Sequence, residues 1–239
     1  MTPDAAAAAV RAEAASAAIA DSAPGAAPAG SLASPGVATL RDAQAALTRR
    51  TIVDAASALF LAHGYVGTSI GAIARSAGVS VQTIYNAVGN KAALLSAILD
   101  AAASGPGSTR PVPQFMRDRT VAAADSAAVV GVLADWFVEV HGRTGDVWSV
   151  IHQAAAVDEE AAAVERAREQ QRLRNYGLAA ADLRSRGSLA GLTDDEAAAA
   201  IWAIGHPNAY QTLVRDLGWT TTAYREWVRK CLAGALGIG

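Results

Sequence analysis

A short stretch around Ile84 carries the side chains best suited to chemistry in this sequence. Ile84 is predicted to face inward, whereas its neighbours on the other face of a helix present amides, hydroxyls and methyl groups. Amides pair with adenine edges in the major groove of DNA, and methyl groups meet the thymine methyl. The alternative is that these are ordinary solvent-exposed polar residues. The predicted DNA-reading residues are Ser80, Val81, Gln82, Thr83, Tyr85 and Asn86.

The elements that would position this stretch form a helix-turn-helix. Apolar residues recur at helical spacing over residues 70–77, and Gly78 supplies the positive φ that a tight turn between two helices needs. Ser80 then fits an N-cap whose hydroxyl accepts from the amide of Gln82 or Thr83. The second helix of such a motif enters a major groove.

Two further helical patterns frame the motif. Thr48 to His63 places bulky apolar residues on one face and is expected to end at Gly64, while Asn90 caps a helix from Lys91 to Ala103. Flanking residues in such a frame hold phosphates, which fix the position of the protein on DNA rather than its sequence preference. The predicted phosphate contacts are Thr68, Lys91, and Arg49 or Arg50.

The segment from Thr48 to Asp100 resembles the DNA-binding domain of the TetR family of transcriptional regulators. The resemblance implies that the hydroxyl of Tyr85 contacts the DNA backbone. The resemblance runs through about fifty residues in one ungapped register. One departure is visible, since the recognition helix of this family usually ends in Tyr-x-His-Phe. The residues that carry the resemblance are Phe60, His63-Gly64-Tyr65, Thr68, Ile73-Ala74, Ala77-Gly78-Val79-Ser80, Thr83-Ile84-Tyr85, Lys91 and Leu94-Leu95, and the departure is Tyr85-Asn86-Ala87-Val88.

The resemblance implies a domain order and partners. Residues 1–46, rich in Ala, Pro and Gly, are expected to be a flexible extension, and 47–90 the helix-turn-helix domain. Residues 91–103 would be a connecting helix and 104–239 a helical effector-binding and dimerisation domain. Family members are homodimers on near-palindromic operators and usually repress, so double-stranded DNA, a small-molecule effector and a second copy of the chain are the expected partners. The dimer would form through the helices of residues 194–236.

Bulk properties agree with an all-α intracellular protein. The chain has 239 residues, 52% hydrophobic and 18% charged, with a formal net charge of -2, so any DNA binding depends on local charge. From Thr48 to Leu99 there are four basic residues and one acidic residue, which leaves the rest of the chain acidic. Cys231 is the only cysteine, which excludes a disulfide framework and a cysteine-rich zinc site. No apolar run is long enough to span a membrane, and a cytoplasmic location is expected.

The remainder of the chain shows helical periodicity without a convincing strand. Helices are expected over Thr120–His141 and Asp146–Val157, with a break at the glycines between them, and then over Asp158–Arg186. Thr193 is predicted to cap the next helix, and Pro207 to interrupt it near its end. A final helix is predicted from Thr222 to Leu236.

The candidate ligand pocket lies in this helical region. Five tryptophans are many for one all-α domain, and they either line a cavity or fill a core. His141, His152 and His206 could converge on a metal or an anionic ligand, but partly buried hydrogen-bonded histidines are the commoner case. No nucleophile elbow, phosphate loop or paired metal-ligand motif is present, so neither catalysis nor a cofactor is expected. The predicted pocket residues are Trp136, Val140, Trp148, His152 and Tyr176.

Two functions therefore remain open. The first is a ligand-responsive DNA-binding regulator, most simply a repressor released by a small molecule. The second is a helical small-molecule carrier or enzyme in which the helix-turn-helix is vestigial. The intact polar face around Ile84 argues against decay and favours the regulator.

Overall fold

The computed structural model describes residues 35–105, 111–189 and 191–239, and these contain helices and no strand. The expected all-α fold is confirmed for this part of the chain, while most of the expected flexible extension, residues 1–34, lies outside it. None of the described helices is long and apolar enough to cross a bilayer. The helices are α1 (Pro35–Gly67), α2 (Ile70–Ala77), α3 (Val81–Ala87), α4 (Lys91–Ser104), α5 (Val112–Val121), α6 (Ser126–Ala155), α7 (Glu159–Ser185), α8 (Asp194–Ile204), α9 (Pro207–Tyr210), a π-helical segment (Gln211–Asp216) and α10 (Thr221–Leu236).

Local capping defines the helices around the turn, as the sequence predicts. The hydroxyl of Ser80 accepts from the amide of Thr83, and the Asn90 side chain accepts from the amide of Ala93. Gly78 adopts φ 67° and ψ 32°, the left-handed conformation that a side chain disfavours. The short helices α2 and α3 are therefore bounded by contacts within three or four residues of their ends.

The first helix begins earlier than the sequence suggests. It starts at Pro35 rather than Thr48, and the Thr48 hydroxyl donates to the carbonyl of Gln44 at 2.9 Å instead of capping a helix end. Threonine inside a helix commonly satisfies its hydroxyl in this way. Gly64 has φ 71° and ψ 173°, so the helical path is interrupted where a helix end was predicted.

Helix α6 runs unbroken for 30 residues through the glycines predicted to interrupt it. That prediction was wrong because isolated glycines cost a helix only about 1 kcal/mol each relative to alanine, which packing on both sides of them offsets. Thr144, between the two glycines, is buried and donates to the carbonyl of Val140 at 2.7 Å. Helix α5 likewise starts at Val112, inside the stretch from Gly105 to Pro113 whose glycines and prolines predict a loop or linker.

Two hydrophobic clusters hold the residues from Arg41 to Gly239 as one compact unit. We call the first the head core; it joins α1 to α4 with the C-terminal half of α6, including Val147 and Ile151. We call the second the bundle core; it joins the N-terminal half of α6, including Val130 and Phe137, with α7, α8 and α10. Helix α6 contributes to both cores.

The C-terminal helices are capped and interrupted at the residues predicted from the sequence. Thr193 and Glu196 form a reciprocal capping box at the start of α8, and His206 and Pro207 separate α8 from α9. At the end of α8 the chain passes very close to Phe137. A Cβ atom on Gly205 would lie 2.2 Å from a ring carbon of Phe137, so only glycine fits this crossing.

Candidate functional site

The recognition helix α3 presents an uncharged polar face to solvent. Ile84 is fully buried in the head core, whereas Gln82, Tyr85 and Asn86 are exposed and Val81 retains 42% of its accessible surface. Tyr85 is 49% exposed, and its hydroxyl makes no hydrogen bond among the described residues. The face is thus formed from amides, one phenol and one apolar side chain.

The two amides on this face bond to each other and keep complementary groups free. Gln82 Nε2 donates to Asn86 Oδ1 at 2.9 Å, one helical turn away. This pairing fixes both side chains and leaves the carbonyl oxygen of Gln82 and the amide group of Asn86 for other partners. An acceptor beside a donor is the combination that an adenine edge in the major groove requires.

Ser80 and Thr83 serve the start of α3 rather than its outer surface. Ser80 Oγ accepts from the Thr83 amide at 3.0 Å and lies 2.8 Å from the Thr83 hydroxyl. Both hydroxyls therefore have a partner within the protein. They position the recognition helix, and the exposed Ser80 side chain still lies at its solvent-facing end.

Arg49 bonds to the end of the recognition helix. Its Nη1 donates to the carbonyl oxygen of Ala87 at 2.6 Å, joining the exposed part of α1 to the last residue of α3. A cation at a helix C-terminus is stabilised by the helix dipole. The helix end that departs from the family pattern is thus held by Arg49, with Ala87 and Val88 packed against the head core.

The predicted phosphate contact at Thr68 is contradicted by its burial. The residue is 2% exposed, and its hydroxyl lies 2.9 Å from the carbonyl of Gly64 and 3.1 Å from that of Leu59. A hydroxyl donating inward closes the interruption at the end of α1 and cannot reach a phosphate. The exposed neighbour Ser69, whose side chain caps α2 by accepting from Ala72, lies at the surface instead.

Lys91 lies at the junction between the head and α7. Its Nζ atom is 4.0 Å from the centroid of the Tyr65 ring, a cation–π contact, and the Tyr65 hydroxyl donates to Asp158 Oδ2 at 3.0 Å. Partial burial lowers the pKa of Lys91, and the nearby Asp158 carboxylate opposes that shift. In this conformation the Lys91 side chain stabilises an internal contact, and phosphate binding would require it to leave the ring.

A cavity of about 760 Å³ lies between α4, α5, α6 and α7. Trp136, Val140, Trp148 and Tyr176 line it, as the predicted pocket residues should. His152 does not: its side chain is 83% exposed and pairs with Glu165 at 2.9 Å on the outer surface. Inclusion of His152 in the pocket was therefore wrong, because its position on α6 faces away from the cavity.

His141 is a buried, neutral wall residue of this cavity. It is 3% exposed, and its Nε2–H donates to the carbonyl of Gly205 at 3.0 Å. Burial lowers the pKa of His141 to about 3 against the smaller opposing effect of that hydrogen bond. The second ring nitrogen, Nδ1, is an acceptor that has no partner among the described residues.

Arg172 is the wall residue with the most unusual environment. Nη1 donates to Glu169 Oε1 at 2.9 Å, while Nε and Nη2 are buried with no partner in the described part of the chain. The guanidinium carbon lies 5.6 Å from the Trp148 ring centroid and 5.9 Å from that of Trp202, so the group is held between two indoles. Glu169 also accepts from the Trp202 N–H and has His206 3.8 Å away.

Sequence reasoning missed the groups that join distant helices. Arg172 lies in a run of glutamates and arginines spaced as on a solvated helix face, and Tyr65 was noted only as one of the residues that carry the family resemblance. No local signal distinguishes them, since their partners lie in other helices. His141 had been noted, but its contact with Gly205 is 64 residues away in sequence.

Comparison with known proteins identifies the head. Residues 52–98 match the model for bacterial regulatory proteins of the tetR family. No curated protein matches the chain.

Solved structures share the fold over most of the chain. A TetR-family transcriptional regulator from Mesorhizobium loti is 20% identical, with a TM-score of 0.59 over 81% of this chain and 97% of that chain. NalD from Pseudomonas aeruginosa, described as the secondary repressor of the MexAB-OprM multidrug efflux pump, is 23% identical, with a TM-score of 0.60 over 80% and 98%. SmeT, in a complex with triclosan, is 21% identical, with a TM-score of 0.62 over 79% and 91%. At these identities the likeness shows the fold.

Proposed function

We propose that this protein, whose residues 52–98 match the model for bacterial regulatory proteins of the tetR family, is a repressor that leaves its operator when a small organic molecule fills the cavity. The exposed face of α3 carries this proposal. Gln82 and Asn86 bond to one another and leave the Gln82 carbonyl oxygen and the N–H groups of the Asn86 amide unused, a state suited to base readout. Tyr85 adds an exposed hydroxyl for the DNA backbone.

Helix α4 offers a direct mechanical route from the cavity to the head. Its first residue lies beside the end of the recognition helix, and its last turns, including Leu99 and Ala103, line the cavity. A helix of 14 residues transmits a shift at one end to the other because its packing on both sides is continuous.

Helix α7 offers a second route. It contributes Arg172 and Tyr176 to the cavity wall, and at its N-cap Asp158 accepts from the Tyr65 hydroxyl of the head. Arg168 of the same helix bonds to Asp100 of α4 at 2.7 Å. A ligand that separates α4 from α7 would therefore strain both connections to the head.

The proposed regulator acts in the cytoplasm as a homodimer through the helices of residues 194–236, on a near-palindromic operator. Recognition helices of such a dimer must enter successive major grooves, about 34–36 Å apart. A ligand that favours a different separation of the heads lowers DNA affinity by shifting the population between two states.

Fluorescence anisotropy with DNA from the promoters of the protein's own and neighbouring genes tests this function. We expect selective binding that weakens steeply with salt. Tyr85→Phe removes only an exposed hydroxyl and should weaken binding severalfold without changing stability, whereas Arg166→Gln, at a surface ion pair with Glu159, should change neither. Equal affinity for all fragments, or an unaltered Kd in Tyr85→Phe and in Gln82→Ala, would contradict the proposal.

A further inference from the structure

The free edge of Arg172 indicates which chemistry the cavity recognises. Its Nε and Nη2 atoms form the side of the guanidinium that binds a carboxylate through two parallel hydrogen bonds. Both atoms are buried and make no hydrogen bond of good geometry within the described residues, where the Tyr176 hydroxyl is the nearby polar group, and the Arg172 side chain is only 16% exposed. Leaving buried donors without acceptors destabilises a protein, so this edge favours a partner with two acceptor oxygens.

The surroundings of Arg172 hold that edge in place. The Trp148 and Trp202 rings lie on the guanidinium, and Glu169 occupies its remaining nitrogen. A planar cation fixed in this way loses little further freedom when an anion binds. Trp148 also lines the cavity, so an acid bound at Arg172 would place its apolar body against an indole.

The other charges on the wall permit an anion. The carboxylate of Asp100 is paired with Arg168, and that of Asp182 with Arg186. Arg117 lines the same cavity, is exposed, and has no ion-pair partner among the described residues. Three arginines, Arg117, Arg168 and Arg172, thus line the cavity against two carboxylates, which leaves a net charge of +1 that Glu169 and Arg186, the partners of Arg172 and Asp182 behind the wall, do not change.

His141 adds a second requirement. Its Nε2 is occupied by the Gly205 carbonyl, and its neutral Nδ1 is an unpaired acceptor. An acceptor of this kind is matched by a hydroxyl or N–H group on the ligand. Trp136 and Val140 complete an apolar wall large enough for an aromatic skeleton.

We infer that the cavity takes an organic acid: a flat apolar molecule whose carboxylate binds the Nε–Nη2 edge of Arg172 and which also carries a hydrogen-bond donor for Nδ1 of His141. The inference rests on the proposed function only in treating this cavity as the effector site. It separates such acids from neutral molecules of the same shape and from cations.

Three matched probes on the full-length protein test the inference by calorimetry: 2-naphthoate, its neutral amide 2-naphthamide, and 6-hydroxy-2-naphthoate. We expect the acid to bind about tenfold more tightly than the amide, because charge-assisted double hydrogen bonds are strong. The hydroxylated acid should bind more tightly still. Equal affinities of acid and amide would overturn the inference and would indicate that water alone pairs with Arg172.

Variants assign the preference to the two side chains. Arg172→Gln should abolish the advantage of acid over amide, while Arg166→Gln, on the exposed face of the same helix, should keep it. Arg172→Lys retains charge but not the two-pronged edge, and a several-fold loss of the advantage in that variant decides the matter if Arg172→Gln does not fold. His141→Gln should remove the extra affinity of the hydroxylated acid. An advantage that survives in the Arg172 variants would contradict the assignment.

The same protein samples assayed with promoter DNA separate this inference from the proposed function. Selective DNA binding without acid preference would overturn the inference and leave the regulator standing. Acid preference without selective DNA binding would support the inference and overturn the proposed function.

Discussion

The polar groups on the exposed face of the recognition helix and those on the wall of the cavity are satisfied in different ways, the first by local hydrogen bonds and the second by long-range ones or not at all. In the head, Ser80 bonds to Thr83 and Gln82 to Asn86, all within four residues, and the outward atoms remain in water. In the bundle, His141 bonds to Gly205 across 64 residues, and Arg172 keeps two buried nitrogens unpaired. The exposed face of the recognition helix is completed by local hydrogen bonds, whereas the wall of the cavity is complete only with a long-range partner or a bound ligand.

This contrast accounts for a division of labour. A surface that reads DNA must keep its shape in the absence of DNA, and short-range hydrogen bonds provide that. A cavity that responds to a ligand needs groups whose satisfaction depends on the ligand, because only a difference in interaction between two states shifts their populations.

The dependence of the bundle on distant packing is greatest at Gly205. Gly205→Ala would place a methyl group 2.2 Å from the Phe137 ring, and we expect a loss of ~3 kcal/mol in the free energy of unfolding. Urea unfolding at fixed protein concentration measures it. Gly131→Ala is the control, since its added Cβ meets nothing within 4 Å inside α6, and it should stabilise by about 0.5–1 kcal/mol. A change in the free energy of unfolding for Gly205→Ala that does not exceed the experimental error would show that the bundle does not depend on this close contact.

The buried histidine of the bundle should make stability depend on pH. Burial lowers the pKa of His141 to about 3, so below about pH 6.5 this histidine is protonated in the unfolded chain but stays neutral in the folded chain. Its contribution is therefore present above pH 6.5 and is lost as pH falls, by up to about 1.4 kcal/mol per unit.

Stability curves between pH 7 and 5 measure this slope above the range in which most carboxylates titrate. The pKa of His206 is lowered by burial too and acts with the same sign, so the comparison needs His141→Gln as the variant. We expect the variant to have a distinctly flatter curve. Parallel curves for the two proteins would show that His141 is not buried as described.

The local completeness of the head predicts a moderate effect at Ser80. Ser80→Ala removes the N-cap of α3 and the bond to the Thr83 hydroxyl, and should cost about 1 kcal/mol of stability. Ser76, exposed on α2 and without a side-chain hydrogen bond in the described part of the chain, provides the matched Ser76→Ala control. Denaturant unfolding and promoter affinity should both decline in the first variant alone. An unchanged promoter affinity would show that α3 needs no cap to read DNA.

The smallest effect is expected where the two regions meet. Tyr65→Phe removes the hydrogen bond to Asp158 but leaves Asp158 capping α7, so stability should fall by only about 0.5–1 kcal/mol. Promoter affinity without ligand should be retained, while the ligand should release DNA less effectively. Tyr85→Phe, in which no protein hydrogen bond is lost, is the stability control. A fully retained ligand response would exclude this contact from the route between cavity and head.

Features of the fold that depend on local contacts could be predicted from the sequence, and those that depend on long-range packing could not. The caps at Ser80, Asn90 and Thr193 were predicted because their partners lie three residues away, and the left-handed Gly78 because its role is local. The continuity of α6 was not predicted, since packing on both sides outweighs two helical glycines. Local preference decides a short helix, and tertiary contacts decide a long one.

The site divided in a similar way. The exposed face of α3 followed from periodicity alone, but Thr68 was assigned to a phosphate because it flanks the helix-turn-helix in sequence. Its inward hydroxyl depends on the carbonyl oxygens of Leu59 and Gly64, which only the three-dimensional path brings together. His152 was grouped with the tryptophans by composition, and its exposed orientation depends on the packing angle of α6.

The position of helix α6 in both cores limits how the head can be exchanged with that of another protein. Its C-terminal half completes the core beneath the recognition helix, and its N-terminal half belongs to the core around the cavity. A head excised after α4 would leave the surface that covers Val147 and Ile151 open to water. Grafting the head onto another regulator therefore requires the C-terminal half of α6 as well. Because the other half of α6 packs in the core around the cavity, a change of DNA specificity by such a graft would also alter the ligand site.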